Sequence, residues 1–131
     1  MGAGSIDKKA LRGGETRVQA IAKTMKRGEI HWARLDPVEG SEISKTRPCV
    51  IVSRDELNAA LPTVVVCPVS STVRPKWRTR LKIRCAGRNA DVCTEQIRTV
   101  SKTRLTGRLG ELSKTETKKL RALLGEMYGE G

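Results

Sequence analysis

The chain has 131 residues, a size that fits one domain with a modest core. Phe is absent and aromatics make up 2% of the chain, so the core must be aliphatic. A formal net charge of +12 points to an anionic partner, and no apolar run is long enough to span a bilayer, which gives a cytoplasmic expectation and no membrane partner.

Residues 1–26 form an N-terminal extension, partly disordered or a short helix. Its first part holds four glycines and scattered charge. Val18, Ile21, Ala22 and Met25 then recur at helical spacing, and Gly28 stops the run. From Glu29 to Leu35 the pattern shifts to alternation, which predicts a first strand with His31 in a structural role. Asp36-Pro37 opens a polar loop that runs to Pro48. Cys49 to Ser53 is short, apolar and β-branched and reads as a central strand, followed by a helical turn over 54–60. Thr63 to Val69 reads as a second buried strand.

Over residues 74–85 the even positions carry Arg74, Lys76, Arg78, Arg80, Lys82 and Arg84, while the odd ones carry Trp77, Leu81, Ile83 and Cys85. On a strand this puts a ladder of cations on one face. The ladder suits RNA phosphates and equally suits an edge strand guarded by charge. For Trp32 and Trp77 core packing is favoured over base stacking. Short strands are predicted near 91–94, 96–100 and 104–109. Ser113 and Glu116 then make a capping box for a helix with Leu120, Leu123, Leu124 and Met127 on one stripe and Gly129 at its end. The layout is mainly β with flanking helices, a small partly open barrel closed by a C-terminal helix.

Chemistry is sparse along this chain. Four cysteines without a C-x-x-C pair, together with one histidine, argue against zinc and for buried thiols. Acidic residues do not cluster in a metal-binding pattern, and no cofactor motif occurs, so neither metal nor cofactor is predicted. What stands out is the segment Gly40-Ser41-Glu42-Ile43-Ser44-Lys45-Thr46-Arg47-Pro48 with the hydroxyls of Ser70, Ser71 and Thr72 at the end of the next strand. A guanidinium beside hydroxyls suits a phosphate, although residue types alone leave room for Arg47 to be paired with Glu42 or Glu95.

The order of motifs adds to this. Arg27-Gly28-Glu29-Ile30, Leu35-Asp36-Pro37, Gly40-Ser41-Glu42 and Thr46-Arg47-Pro48 are followed by Pro68-Val69-Ser70-Ser71 and Glu95-Gln96-Ile97-Arg98-Thr99-Val100 with Lys102 and Arg104-Leu105. This series resembles the MazF/PemK toxin endoribonucleases of the CcdB-like superfamily over residues 27 to about 127. The resemblance implies a toxin domain over 27–131 with a CcdB/PemK-type, SH3-like barrel. It implies a homodimer, an acidic antitoxin as partner, and metal-independent cleavage of single-stranded RNA by 2′-hydroxyl attack. Arg47 and Ser70 map to the catalytic pair, with Ser70 standing where threonine is usual. Glu42 and Ser71 are further catalytic candidates. Ser41, Lys45, Thr72, Lys76, Arg78 and Gln96 are assigned to RNA binding. Because a guanidinium keeps its proton far above neutral pH, the arginine is read as an electrostatic stabiliser and proton donor, and Glu42 as the candidate base. The alternative is a CcdB-like toxin that cuts no RNA and binds a protein target such as gyrase.

Overall fold

The computed structural model describes residues 25–35 and 45–130. Residues 1–24 lie outside it, and with them most of the expected N-terminal helix; Met25, its last apolar position, is buried. The elements run β1 (Glu29–Leu35), β2 (Lys45–Ile51), α1 (Asp55–Ala60), β3 (Thr63–Ser70), β4 (Arg80–Cys85), β5 (Arg88–Cys93), β6 (Arg98–Ser101), β7 (Leu105–Glu111) and α2 (Lys114–Tyr128). Short 3₁₀ turns at Thr94–Gln96 and Lys102–Arg104 flank β6.

The strands form one curled antiparallel sheet in the order β4-β5-β3-β2-β1-β7, with β6 also on β3. β3 organises it. One edge pairs with β2, while the other pairs first with β6 and then, from Val69, with β5. Its run of Val64, Val66, Cys67, Pro68 and Val69 is buried throughout, as expected of a strand covered on both faces.

Each face of the sheet carries an aliphatic cluster. Ile30, Val50, Val52, Cys67, Val69, Leu81, Ile83 and Val92 face α2, whose Leu120 is buried among them with Leu123 and Leu124 packed alongside. Met25, Ala33, Leu35, Cys49, Ile51, Val64, Val66 and Leu105 fill the opposite face. The capping box is formed: Ser113 Oγ accepts from Glu116 N–H at 3.0 Å, and Glu116 accepts from Ser113 N–H at 2.8 Å.

Several expected boundaries move. β2 starts at Lys45, inside the expected loop, because Thr46 and Arg47 pair with Arg34 and Ala33 of β1. β4 starts at Arg80, so residues 74–79 of the expected strand form turns instead; Pro75 has no N–H to give a ladder. β5 spans Arg88–Cys93, joined to β4 by a two-residue turn at Ala86 and Gly87, both with positive φ. Neither tryptophan is a core residue: Trp32 is 39% exposed and Trp77 47%.

Candidate active site

Local pairing builds the site. β1 and β2 are registered with Ala33 opposite Arg47, and β2 and β3 with Cys49 opposite Pro68. The paired stretch of β2 and β3 ends there; two further steps along both strands lead to Arg47 and Ser70. Residues opposed in this register project from the same side of a sheet. Arg47 and Ser70 therefore share the face of Cys49 and Pro68. On the far edge of β3, Ser70 is paired with Asp91, which is paired in turn with Lys82. The result is a polar row, Lys82–Asp91–Ser70, continued by Arg47.

Of the two carboxylates that could pair with Arg47, Glu95 does not, and Glu42 lies outside the described residues. Arg47 is half-buried and makes no side-chain hydrogen bond or ion pair among the described residues. Glu95 is engaged elsewhere: it accepts from Arg80 Nε and from Thr79 Oγ1, each at 2.8 Å. Ser70 Oγ closes a tight turn, accepting from Thr72 N–H at 3.1 Å and donating to Thr72 O at 3.4 Å. Ser71 alternates to the other face. There it lines a cleft of about 260 Å³ together with Trp32, Thr46, Arg47, Pro48 and Asn89. Strand parity thus gives Ser70, not Ser71, the face shared with the guanidinium, while the cleft runs past both Arg47 and Ser71.

Asp91 is the residue that the sequence did not single out. It is fully buried, and a carboxylate there must be paired. Its oxygens accept from Arg74 N–H at 2.8 Å, Arg80 Nη1 at 3.3 Å and Lys82 Nζ at 2.9 Å. With Glu95 it fastens both ends of the segment 74–80 next to Ser70. Trp77 lies in that segment with Arg80 4.5 Å and Arg74 5.4 Å from its ring centroid. In the sequence it is only an acid four residues after Gly87, at the start of an expected short strand.

The cation ladder is partly realised. On β4, Leu81, Ile83 and Cys85 are buried and Lys82 and Arg84 exposed, as alternation requires. Arg80 departs from it: its side chain is only 6% exposed and is held by Asp91 and Glu95, so it is a buried structural cation. Lys76 and Arg78 sit in the loop, exposed, and Arg78 reaches Glu126 at 2.9 Å across an exposed pair. Lys45 is exposed at the start of β2 in a left-handed conformation, φ 69. Thr72 is exposed beside Ser70, and Gln96 is half-buried in the first 3₁₀ turn. Ser41 and Glu42 lie outside the described residues. Arg98, opposite Val66 on β6, adds a cation to the Arg47 face and favours the ionised form of Cys49.

All four cysteines are buried and free. Burial pushes the Cys49 and Cys67 thiols up to about 12 and Cys93 to about 11, which leaves no thiolate nucleophile. His31 is buried too, and its Nε2 lies 2.9 Å from Glu29, a structural pair. Among the described residues no group of three or more His, Cys, Asp or Glu is placed to hold a metal ion. A hollow of about 830 Å³ opens between Gly28 and α2, lined by Lys26, Arg27, Lys114, Lys118 and Arg121. It is larger than the cleft at Arg47, and its lining also includes Thr117 and the carboxylates Glu29 and Glu111.

A curled sheet of short antiparallel strands with one C-terminal helix, and a guanidinium on the face of a strand-end serine, describe a small, partly open β-barrel. A Deinococcus radiodurans MazF crystal structure superposes with a TM-score of 0.70 at 21% identity, over 80% of this chain and 96% of that one. An endoribonuclease in complex with its cognate antitoxin from a mycobacterial species gives a TM-score of 0.65 at 22% identity, over 81% and 96%. By sequence, endoribonuclease MazF of Staphylococcus saprophyticus is 36% identical over 101 residues, covering 73% of this chain and 84% of that protein. The family profile described as PemK-like, MazF-like toxin of type II toxin-antitoxin system matches residues 26–128. The chain belongs to that family.

Proposed function

We propose that this chain is the toxin of a type II toxin–antitoxin pair and acts as a metal-independent endoribonuclease on single-stranded RNA, with the toxin domain over residues 27–131. The observation that carries the reading is Arg47, a half-buried guanidinium with no partner among the described residues, on the face of Ser70. RNA brings its own nucleophile, so the protein has chiefly to position it and to stabilise developing charge. The 2′-oxygen attacks the adjacent phosphorus, and the bond to the 5′-oxygen breaks. The products are a cyclic phosphate and a free 5′-hydroxyl. Arg47 stabilises the added charge on the phosphoryl oxygens and supplies a proton toward the leaving oxygen. Ser70 fixes the phosphate from the opposite strand. Glu42 is assigned as the base that takes the 2′-hydroxyl proton.

The family membership supports an acidic antitoxin as the cellular partner, since a flexible acidic segment matches a chain of net charge +12. We assign the active form to a homodimer in the cytoplasm; among the described residues no helix is long and apolar enough to cross a membrane. The test is end-mapping of fragments made from mixed-sequence RNA in EDTA, with Arg47→Ala and Glu42→Gln run alongside. The wild type is expected to leave 5′-hydroxyl ends. Arg47→Ala should lose at least about 100-fold in rate, the scale of removing one stabilising donor. Intact RNA, or equal cutting by Arg47→Ala, overturns the reading. A stalled topoisomerase with intact RNA would favour the protein-target alternative.

A further inference from the structure

We propose that the hollow beside Asp91 is a guanine subsite for a nucleotide flanking the cut, a deepening that rests on the ribonuclease reading above. The hollow measures about 430 Å³ and is lined by Val73, Pro75, Lys82, Ile83, Asn89 and Ala90. Lys82 is paired with Asp91, and Asp91 with Ser70, so the hollow adjoins the polar row at the candidate active site.

The hydrogen bonds already made within the chain decide what the hollow can read. Asn89 Oδ1 is 3.2 Å from Arg84 Nη1. A guanidinium only donates, so the amide must turn its oxygen to Arg84 and its NH₂ away. Arg84 is itself fixed by its second bond, Nη2 to Gly87 O at 2.8 Å, across the hairpin turn. Lys82 Nζ donates to Arg74 O at 2.7 Å and to Asp91 Oδ1 at 2.9 Å. An ammonium has three N–H groups, so one is left. The hollow therefore offers donors from two residues, the amide NH₂ of Asn89 and the remaining N–H of Lys82, while the amide oxygen of Asn89 is turned to Arg84. Val73 and Pro75 form an apolar wall on which a base plane can lie.

Two donors side by side match two adjacent acceptors. Guanine presents O6 and N7 together on its Hoogsteen edge, which is open in single-stranded RNA. Adenine puts its amino group beside N7 and so sets a donor against a donor; cytosine pairs two acceptors, N3 and O2, only on its Watson–Crick edge, which changes at purine N7 do not touch. Uracil offers O4 without a second acceptor beside it.

The experiment profiles the bases around the cut in a random RNA pool and then modifies a good substrate. Wild type should enrich guanine about ten-fold or more at one flanking position. Inosine there, which keeps O6 and N7, should cut like guanine, while 7-deazaguanine, which lacks N7, should lower kcat/KM about ten-fold. Asn89→Ala should flatten the profile at that position alone. Asn89→Asp, an acceptor in place of a donor, should move it to adenine or cytosine. Cutting with an unshifted profile in both variants, or with no loss on 7-deazaguanine, removes the subsite and leaves the nuclease standing. Failure of the wild type to cut any RNA removes both. The modified-RNA arm uses wild-type protein, so it does not depend on how a variant folds.

Discussion

At the scale of residues, parity decides which polar side chains share a face. Ser70 and Ser71 are neighbours in sequence and equivalent in chemistry; only the register of β3 assigns them to different faces. That register was hidden in the sequence because β2 begins with Lys45, Thr46 and Arg47, which carry no apolar alternation. Arg47 itself was legible from the motif around it, whereas Asp91 was not, since its partners Arg74, Arg80 and Lys82 are drawn from a loop and another strand. The buried thiols yield a pH prediction. In the unfolded chain a thiol ionises from about 9.0, but the folded protein holds the Cys49 and Cys67 protons up to about 12. The unfolded state thus binds fewer protons in that window. The contribution of these thiols is complete below pH 9 and is lost as pH rises through about 12. Each thiol should remove up to about 1.4 kcal/mol per pH unit in that range. Denaturant midpoints should fall above pH 9, and Cys67→Ala should fall less steeply than wild type.

At the scale of elements, period was a good guide to type and a poor guide to ends. β1, β3 and α2 lie where alternation and the apolar stripe put them. The cationic run from Arg74 to Arg84 has period two throughout, yet only its second half is a strand. Its first half becomes turns because Asp91 and Glu95 bind its ends, interactions that no local pattern carries. Both tryptophans were misjudged for a similar reason. Trp32 points to the α2 side of β1, but α2 packs farther along the sheet through Leu120. That docking rests on few side chains. Leu120 is 3% exposed, and Leu120→Ala should cost about 2–5 kcal/mol in chemical denaturation. A loss within 0.5 kcal/mol, the usual range of a surface change, would mean that α2 is held by its cap and flanking contacts instead.

For the whole molecule, the +12 charge is less available than the composition suggests. Arg80 is buried between two carboxylates, Lys82 is tied to Asp91, and Arg108 bridges Glu29 and Glu111. On the side of the candidate active site, the cations left for a polyanion lie in the 74–80 loop and near Arg47. RNA affinity should therefore depend on salt more weakly than the six-cation ladder implies. Lys76 has no partner among the described residues, and Lys76→Ala should reduce the slope of log affinity against log salt by about 0.7. An unchanged slope would place Lys76 off the RNA path.

The order in which the strands are joined has a consequence for biosynthesis. Glu29 of β1 is paired with Glu111 of β7, so two strands separated by most of the domain must meet before the sheet is complete. Arg47 and Ser70 are translated much earlier, in strands that pair with each other. A nascent chain on the ribosome therefore holds the side chains proposed to react well before it has the outer strand and the helix that frame them. Damage to the cell's messages would begin only once synthesis of the polypeptide is nearly finished, an interval in which a partner protein already in the cell can reach it.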